Sequence, residues 1–191
     1  MRLFIGVKIS MDAVEAVSGA AQVMRAAADA AGVKVRWVAP AAYHVTLKFI
    51  GEARPEVVPA VRDSVREMLA GQSAFDFATR SAGAFPGADR ARVLWVGVDD
   101  PGGHLTRMAG ACEKAVVSLG FKPERRPFHP HVTVGRLREV ADCQGLLLPC
   151  TEQGYSETRA ESVTMFESIT KSSGSEYVVR AEWPLSVTPA S

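Results

Sequence analysis

Two short phrases carry the residue types best suited to chemistry. His44-Val45-Thr46-Leu47-Lys48-Phe49 is answered eighty-seven positions later by His131-Val132-Thr133-Val134-Gly135-Arg136. The chain has 191 residues and only 4 histidines, and two of them stand in these matched phrases. In a strand, alternate side chains share a face. Each phrase therefore offers an imidazole and a hydroxyl to one surface, while Val45 and Leu47, or Val132 and Val134, anchor the other. A histidine with its ordinary pKa near ~6.5 serves as neutral base or charged acid around neutral pH. Two facing imidazoles thus suit phosphodiester chemistry. One takes a proton from water while the other protonates the departing oxygen, each transfer being worth about 10²–10⁴-fold in rate. The threonine hydroxyls would hold the non-bridging phosphate oxygens. No metal or other cofactor is required by this scheme, and the spacing alone, being symmetric, leaves open which imidazole is the acid.

The elements that must position these phrases are legible in outline. Residues 2–9 read as a strand with Leu3, Ile5, Val7 and Ile9 alternating, although Phe4 breaks the period. Ser10 is placed to cap a helix over 11–31 with a stripe of Val14, Val17, Ala21 and Met24, ended by Gly32. A short strand over 33–38 leads through Pro40 to the first phrase. Arg54 and Pro55 open a second helix with Val58, Val61, Val65 and Met68 inward. Strands are expected over 75–85 and 91–98, and Asp100-Pro101 is expected to start a third helix with Leu105, Met108, Cys112, Val116 and Leu119 on one side, stopped at Gly120. After a basic loop and the second phrase come a weak helix near 139–148 and two closing strands over 160–170 and 177–185. Strands and helices are mixed without strict alternation, which predicts an α+β fold with antiparallel sheets. The half-chain repeat predicts a single bilobal domain over 1–191: two pseudo-symmetric lobes of antiparallel sheet with outer helices, a cleft between them, and one phrase in each lobe (His44–Leu47 and His131–Val134).

Composition narrows the classes. Hydrophobic residues are 47% and charged residues 23%, as in an ordinary globular chain, and the net charge of +1 gives no global electrostatic case for nucleic acid. Any such contact must be local, and the basic residues do thicken around the second phrase, at Lys122, Arg125, Arg126, Arg136 and Arg138. Three cysteines without C-x-x-C spacing suggest neither a disulfide framework nor a zinc site, so a reducing cytoplasmic location is expected. The N-terminus is too short and interrupted in its apolar run for a signal peptide, and no membrane contact is expected. His129, Tyr43, Phe49, Trp95 and His104 have plainer readings. His129 lines a cleft rim or faces solvent. Tyr43 and Phe49 fall on the buried parity, Trp95 packs within its strand, and His104 is a surface residue. Arg92 reads equally as a phosphate contact or an edge residue.

The phrases in their flanks, "HVTLKFIGE" and "PFHPHVTVGRLRE", resemble the paired H-x-T-x signatures of the 2H phosphoesterase superfamily, in particular its RNA 2′,3′-cyclic phosphodiesterases of the 2′-5′ RNA ligase type. "MRLFIGVKI", "ARVLWVGV", "ESVTMFES" and "YVVRAEWPL" are similar to that family's opening, central and closing strands. The resemblance implies an enzyme, a phosphoric diester hydrolase that opens a terminal 2′,3′-cyclic phosphate on RNA to a 2′-phosphate and runs 2′-5′ ligation in reverse. It implies His44 as proton donor to the leaving oxygen and His131 as proton acceptor from water. Thr46, Thr133 and Arg136 would bind phosphate, and no metal is involved. Strict alternation would put Arg136 on the face opposite His131, so a bulge at Gly135 or a strand end is required. Arg126 and Arg125, in the preceding loop, are candidates for the RNA backbone. Expected partners are RNA cyclic-phosphate ends or small cyclic nucleotides, met by a monomer. Two other functions fit the same residues: a phosphodiesterase for another cyclic or 2′-5′-linked nucleotide, and an RNA-end binding module without turnover.

Overall fold

Residues 1–150, 154–171 and 174–186 are described by the computed structural model. Strand β1 (Arg2–Lys8) has its five inner residues buried on both faces, which is why its sequence does not alternate cleanly. Ser10 then accepts a hydrogen bond from the Ala13 amide to cap α1 (Met11–Ala31), and Gly32 closes that helix at φ 68°. The chain continues through β2 (Val35–Trp37), β3 (His44–Glu52), α2 (Val58–Leu69), β4 (Phe75–Phe85), β5 (Ala91–Asp99) and α3 (His104–Val117). It finishes with β6 (His131–Ala141), a single turn α4 (Gln144–Leu147), β7 (Gly154–Ala160), β8 (Ser162–Lys171) and β9 (Gly174–Pro184).

The strands form one sheet in the order β7-β4-β5-β6-β3-β1-β8-β9, with β2 on β6. Every ladder is antiparallel, as expected for an α+β fold. The sheet has a seam. Strands β3 and β6 meet through one residue pair, Val45↔Val132, whereas the ladders on either side of them run over many residue pairs. Each half of that order therefore has four strands, and the seam runs between the two histidine phrases. Helix α1 packs against β6 and β7, in the half that holds the second phrase, while α2 and α3 pack against β9 and β3 in the other. These helices cover the face on which Val45, Leu47, Val132 and Val134 are buried. The opposite face is left for the histidines.

Several elements differ from the sequence expectation. Helix α3 begins at His104, not Pro101, although Asp100 does act as its cap through a carboxylate 2.7 Å from the Leu105 amide. It ends before Leu119, which lies 41% exposed outside the core. In α2 it is Leu69, not Met68, that joins Val61 and Val65 inside. The expected helix over 139–148 shrinks to α4 because β6 runs on to Ala141, which pairs with Ala91. Strand β7 carries the polar sequence GYSETRA and gives no alternating signal; its register against β4, from Phe75↔Ala160 to Arg80↔Gly154, forms it.

Candidate active site

The pairing of Val45 with Val132 sets the geometry of the site. Continued one residue each way, that antiparallel register sets His44 across from Thr133 and Thr46 across from His131. Both valines are fully buried. The burial pattern of the six residues is the same in both: half-buried His, buried, half-buried Thr, buried, buried, exposed.

That shared pattern has a cause in the ladders. In β3 the pairing slips between Gly6↔Thr46 and Ile5↔Lys48, leaving Leu47 as an extra residue. In β6 it slips between Trp95↔Thr133 and Leu94↔Gly135, leaving Val134 extra. A bulge at the fourth position therefore exchanges the faces of everything beyond it. It brings Arg136 onto the face of His131, where strict alternation denied it, and the extra residue is Val134 rather than Gly135. It also brings Phe49 out of the core to 57% exposure, contrary to the sequence expectation, while Tyr43 is buried as expected. Lys48 takes the place inside. Its ammonium is 2.7 Å from Glu113 of α3 and donates to the carbonyl of Lys122 at 3.1 Å, tying the back of the first phrase to the loop that leads into the second.

The two imidazoles are held alike. Nδ1 of His44 is 2.8 Å from the carbonyl of Ala42, and Nδ1 of His131 is 2.7 Å from the carbonyl of His129. A carbonyl can only accept, so each Nδ1 carries a proton and each Nε2 is the nitrogen left for chemistry. Nε2 of His44 lies 2.9 Å from the Thr46 hydroxyl. Their surroundings differ. His44 stacks on Phe4 at 4.7 Å, meets the edge of Tyr177 at 5.2 Å and has Phe166 beyond. This aromatic packing strips water from the ring and lowers its pKa to about 4, with the positive charges of His131 and Arg136 pushing the same way and the Ala42 carbonyl opposing. His131 stands against Phe85 at 5.0 Å with Trp95 and His129 near, and its pKa is also lowered, mainly by burial, with His129 and Arg136 adding to the effect.

Space for the His44 ring comes from Gly6 on the neighbouring strand. A Cβ there would lie 2.7 Å from the Val45 carbonyl oxygen and 3.3 Å from Cδ2 of His44. Of the arginines proposed from sequence, Arg136 is the one whose charge reaches both imidazoles and Tyr177. Arg126 is turned instead to Glu124, 2.9 Å away, which also accepts from the amides of Arg125 and Arg126 and has its pKa held down to about 2 by these bonds. Arg92 donates to the Arg138 carbonyl, and His104 stacks on Phe75 and bonds to Arg107. Sequence reasoning missed Phe4, Phe166 and Tyr177 as the wall around His44. Phe4 gave a faint signal by breaking the strand period. No group of three or more His, Cys, Asp or Glu side chains is clustered for a metal among the described residues, and no described helix is long and apolar enough to cross a membrane.

A half-and-half sheet carrying one His-x-Thr phrase on each side of its seam is the architecture of a phosphoesterase, and comparison with known proteins agrees. The LigT-like phosphoesterase family model matches twice, over residues 12–95 and 96–173, one phrase in each. An RNA 2′,3′-cyclic phosphodiesterase of Aeropyrum pernix is 34% identical over 149 residues, which is 76% of this chain and 84% of that one. One of Archaeoglobus fulgidus is 29% identical over 93% of this chain and 96% of its own length. The chain belongs to the LigT-like phosphoesterase family, in the 2H superfamily its phrases resemble. Two solved structures share the fold: TT0787 of Thermus thermophilus, with a TM-score of 0.80, 23% identity and coverage of 97% of this chain and 98% of that one, and Escherichia coli LigT complexed with 3′-AMP, with 0.76, 23%, 96% and 97%.

Proposed function

We propose that this protein is an RNA 2′,3′-cyclic phosphodiesterase that opens a terminal cyclic phosphate to a 2′-phosphate by two-histidine acid-base catalysis. The observation that carries the reading is the pairing of the two phrases at Val45↔Val132, which supports a site in which each imidazole faces the other phrase's threonine across the seam. A phosphate set over the seam would take hydrogen bonds from Thr46 and Thr133 and the charge of Arg136. On one side His131, with Nδ1 protonated, accepts a proton from water at Nε2 as the new O–P bond forms. On the other, His44 gives a proton from Nε2 to O3′ as the P–O3′ bond breaks. The role assigned to each histidine follows the family resemblance.

The acid role requires His44 to be protonated, yet burial favours its neutral form near pH 7 before substrate binds. The substrate supplies the correction. A unit negative charge about 4 Å away in a partly screened site favours imidazolium by about 4 kcal/mol, equivalent to about three pH units. The phosphodiester anion thus charges its own acid on arrival. The same anion acts on His131, whose pKa is lowered mainly by burial with Arg136 adding to the effect, and its role as base follows the family resemblance. The test is incubation with adenosine 2′,3′-cyclic phosphate and identification of the product by phosphorus NMR. The 2′-phosphate is expected, and His44→Ala and His131→Ala should each lower kcat by at least about 10²-fold. Turnover that survives either replacement, or a 3′-phosphate product, refutes the reading.

A further inference from the structure

Strand β4 contains the one non-glycine residue with positive φ among the described residues, Ser81 at 57°. It is the extra residue of a third bulge, since Arg80 pairs with Gly97 and Ala82 with Val96. That conformation costs a non-glycine residue about 1 kcal/mol or more, and bulges beside reactive sites re-aim a side chain. The direction of this one is fixed by its neighbours. Gly97 pairs with His131, so the two share a face of the sheet. A Cβ built on Gly97 would lie 3.0 Å from Ser81 Oγ and 3.3 Å from Cζ3 of Trp95. The serine hydroxyl and the Arg80 carbonyl oxygen, 2.9 Å from the same point, therefore fill the space that a side chain at Gly97 would take, on the face that Gly97 shares with His131. The Trp95 ring, which lies over Gly83 of β4, bounds that space on one side. Ser81 Oγ has no hydrogen-bond partner among the described residues.

We infer that Ser81 holds the water that His131 activates, as a further catalytic residue of the proposed reaction. A water between them gives one proton to Nε2 of His131 and donates the other to Ser81 Oγ, which leaves an oxygen lone pair for phosphorus. The hydroxyl is thus an orienting acceptor; the proton lost in the step goes to His131 and the proton gained by O3′ comes from His44. This rests on the phosphodiesterase reading. It also explains a serine in a backbone conformation that glycine would adopt without strain, on the strand whose Phe85 stands against His131.

The experiment compares water with methanol as nucleophile. Methanol has one O–H proton, which His131 takes, and none for Ser81. The variant is Ser81→Gly, which relieves the positive φ, with Ser81→Ala as a second protein lacking the hydroxyl. In a fixed methanol-water mixture with adenosine 2′,3′-cyclic phosphate, hydrolysis should fall about tenfold, as for one lost hydrogen bond to the reacting group. The ratio of 2′-phosphate methyl ester to free 2′-phosphate should rise by a similar factor. An unchanged ratio, with or without slower turnover, overturns the inference, because a merely structural serine would slow both nucleophiles together. A wild-type protein that opens no cyclic phosphate overturns the reading of the site and the role of Ser81 with it.

Discussion

Burial of His44 among Phe4, Phe166 and Tyr177 makes the protein sensitive to mild acid. The unfolded chain takes a proton on this residue near pH 6.5, whereas the folded site resists until about pH 4. Below pH 6.5 the unfolded state therefore binds more protons, so the contribution of a neutral His44 is intact above 6.5 and drains away as pH falls toward 4. Between pH 7 and pH 5 the two values imply a loss of about 2 kcal/mol from this residue alone. Carboxylates such as Glu124 and Glu182, whose pKa values are lowered by their hydrogen bonds, lose stability in acid as well, and His131 adds in the same direction as His44. The comparison that isolates His44 is urea unfolding of wild type and His44→Gln at both pH values. The wild-type protein should lose about 2 kcal/mol more than the variant on going from pH 7 to pH 5. A bound phosphate ligand should shrink this loss, because holding the imidazolium raises the folded-state pKa of His44 toward its unfolded value. Equal losses in the two proteins would refute the claim that aromatic packing keeps this ring neutral.

Three other outcomes follow from particular contacts. Gly6→Ala places a methyl group 2.7 Å from the Val45 carbonyl and against the His44 ring, so turnover should fall by more than about tenfold with a stability loss of about 1–3 kcal/mol, read by kinetics and thermal melting. Arg136→Gln removes a charged phosphate donor, worth about 1.5–3 kcal/mol, and should raise KM for the cyclic nucleotide by about ten- to a hundredfold while raising the pKa of both histidines in an NMR titration. Glu113→Gln leaves the buried Lys48 ammonium without its carboxylate and should cost about 3–5 kcal/mol in chemical denaturation, with faster proteolysis in the 121–130 loop that Lys48 and Glu113 both bind.

The sequence alone determined the two His-x-Thr phrases, their spacing of half a chain, the cap at Ser10, the three longer helices and the antiparallel α+β class. Apart from the repeat itself, these are written in neighbours a few positions apart, through side-chain alternation, helical period and capping residues. What local alternation cannot report is a bulge, because an extra residue is recognised only by the strand it fails to pair with. The slips at Leu47 and Val134 sent Lys48 inward, Phe49 outward and Arg136 to the histidine face, each against its parity. Long-range packing decided the remainder. The Val45↔Val132 contact, the aromatic wall brought by β8 and β9 from more than 120 positions beyond His44, and the bulge at Ser81 exist only once the sheet has closed. Residue type supplies an imidazole, but the water excluded around it sets its pKa, and that exclusion is a property of the assembled sheet.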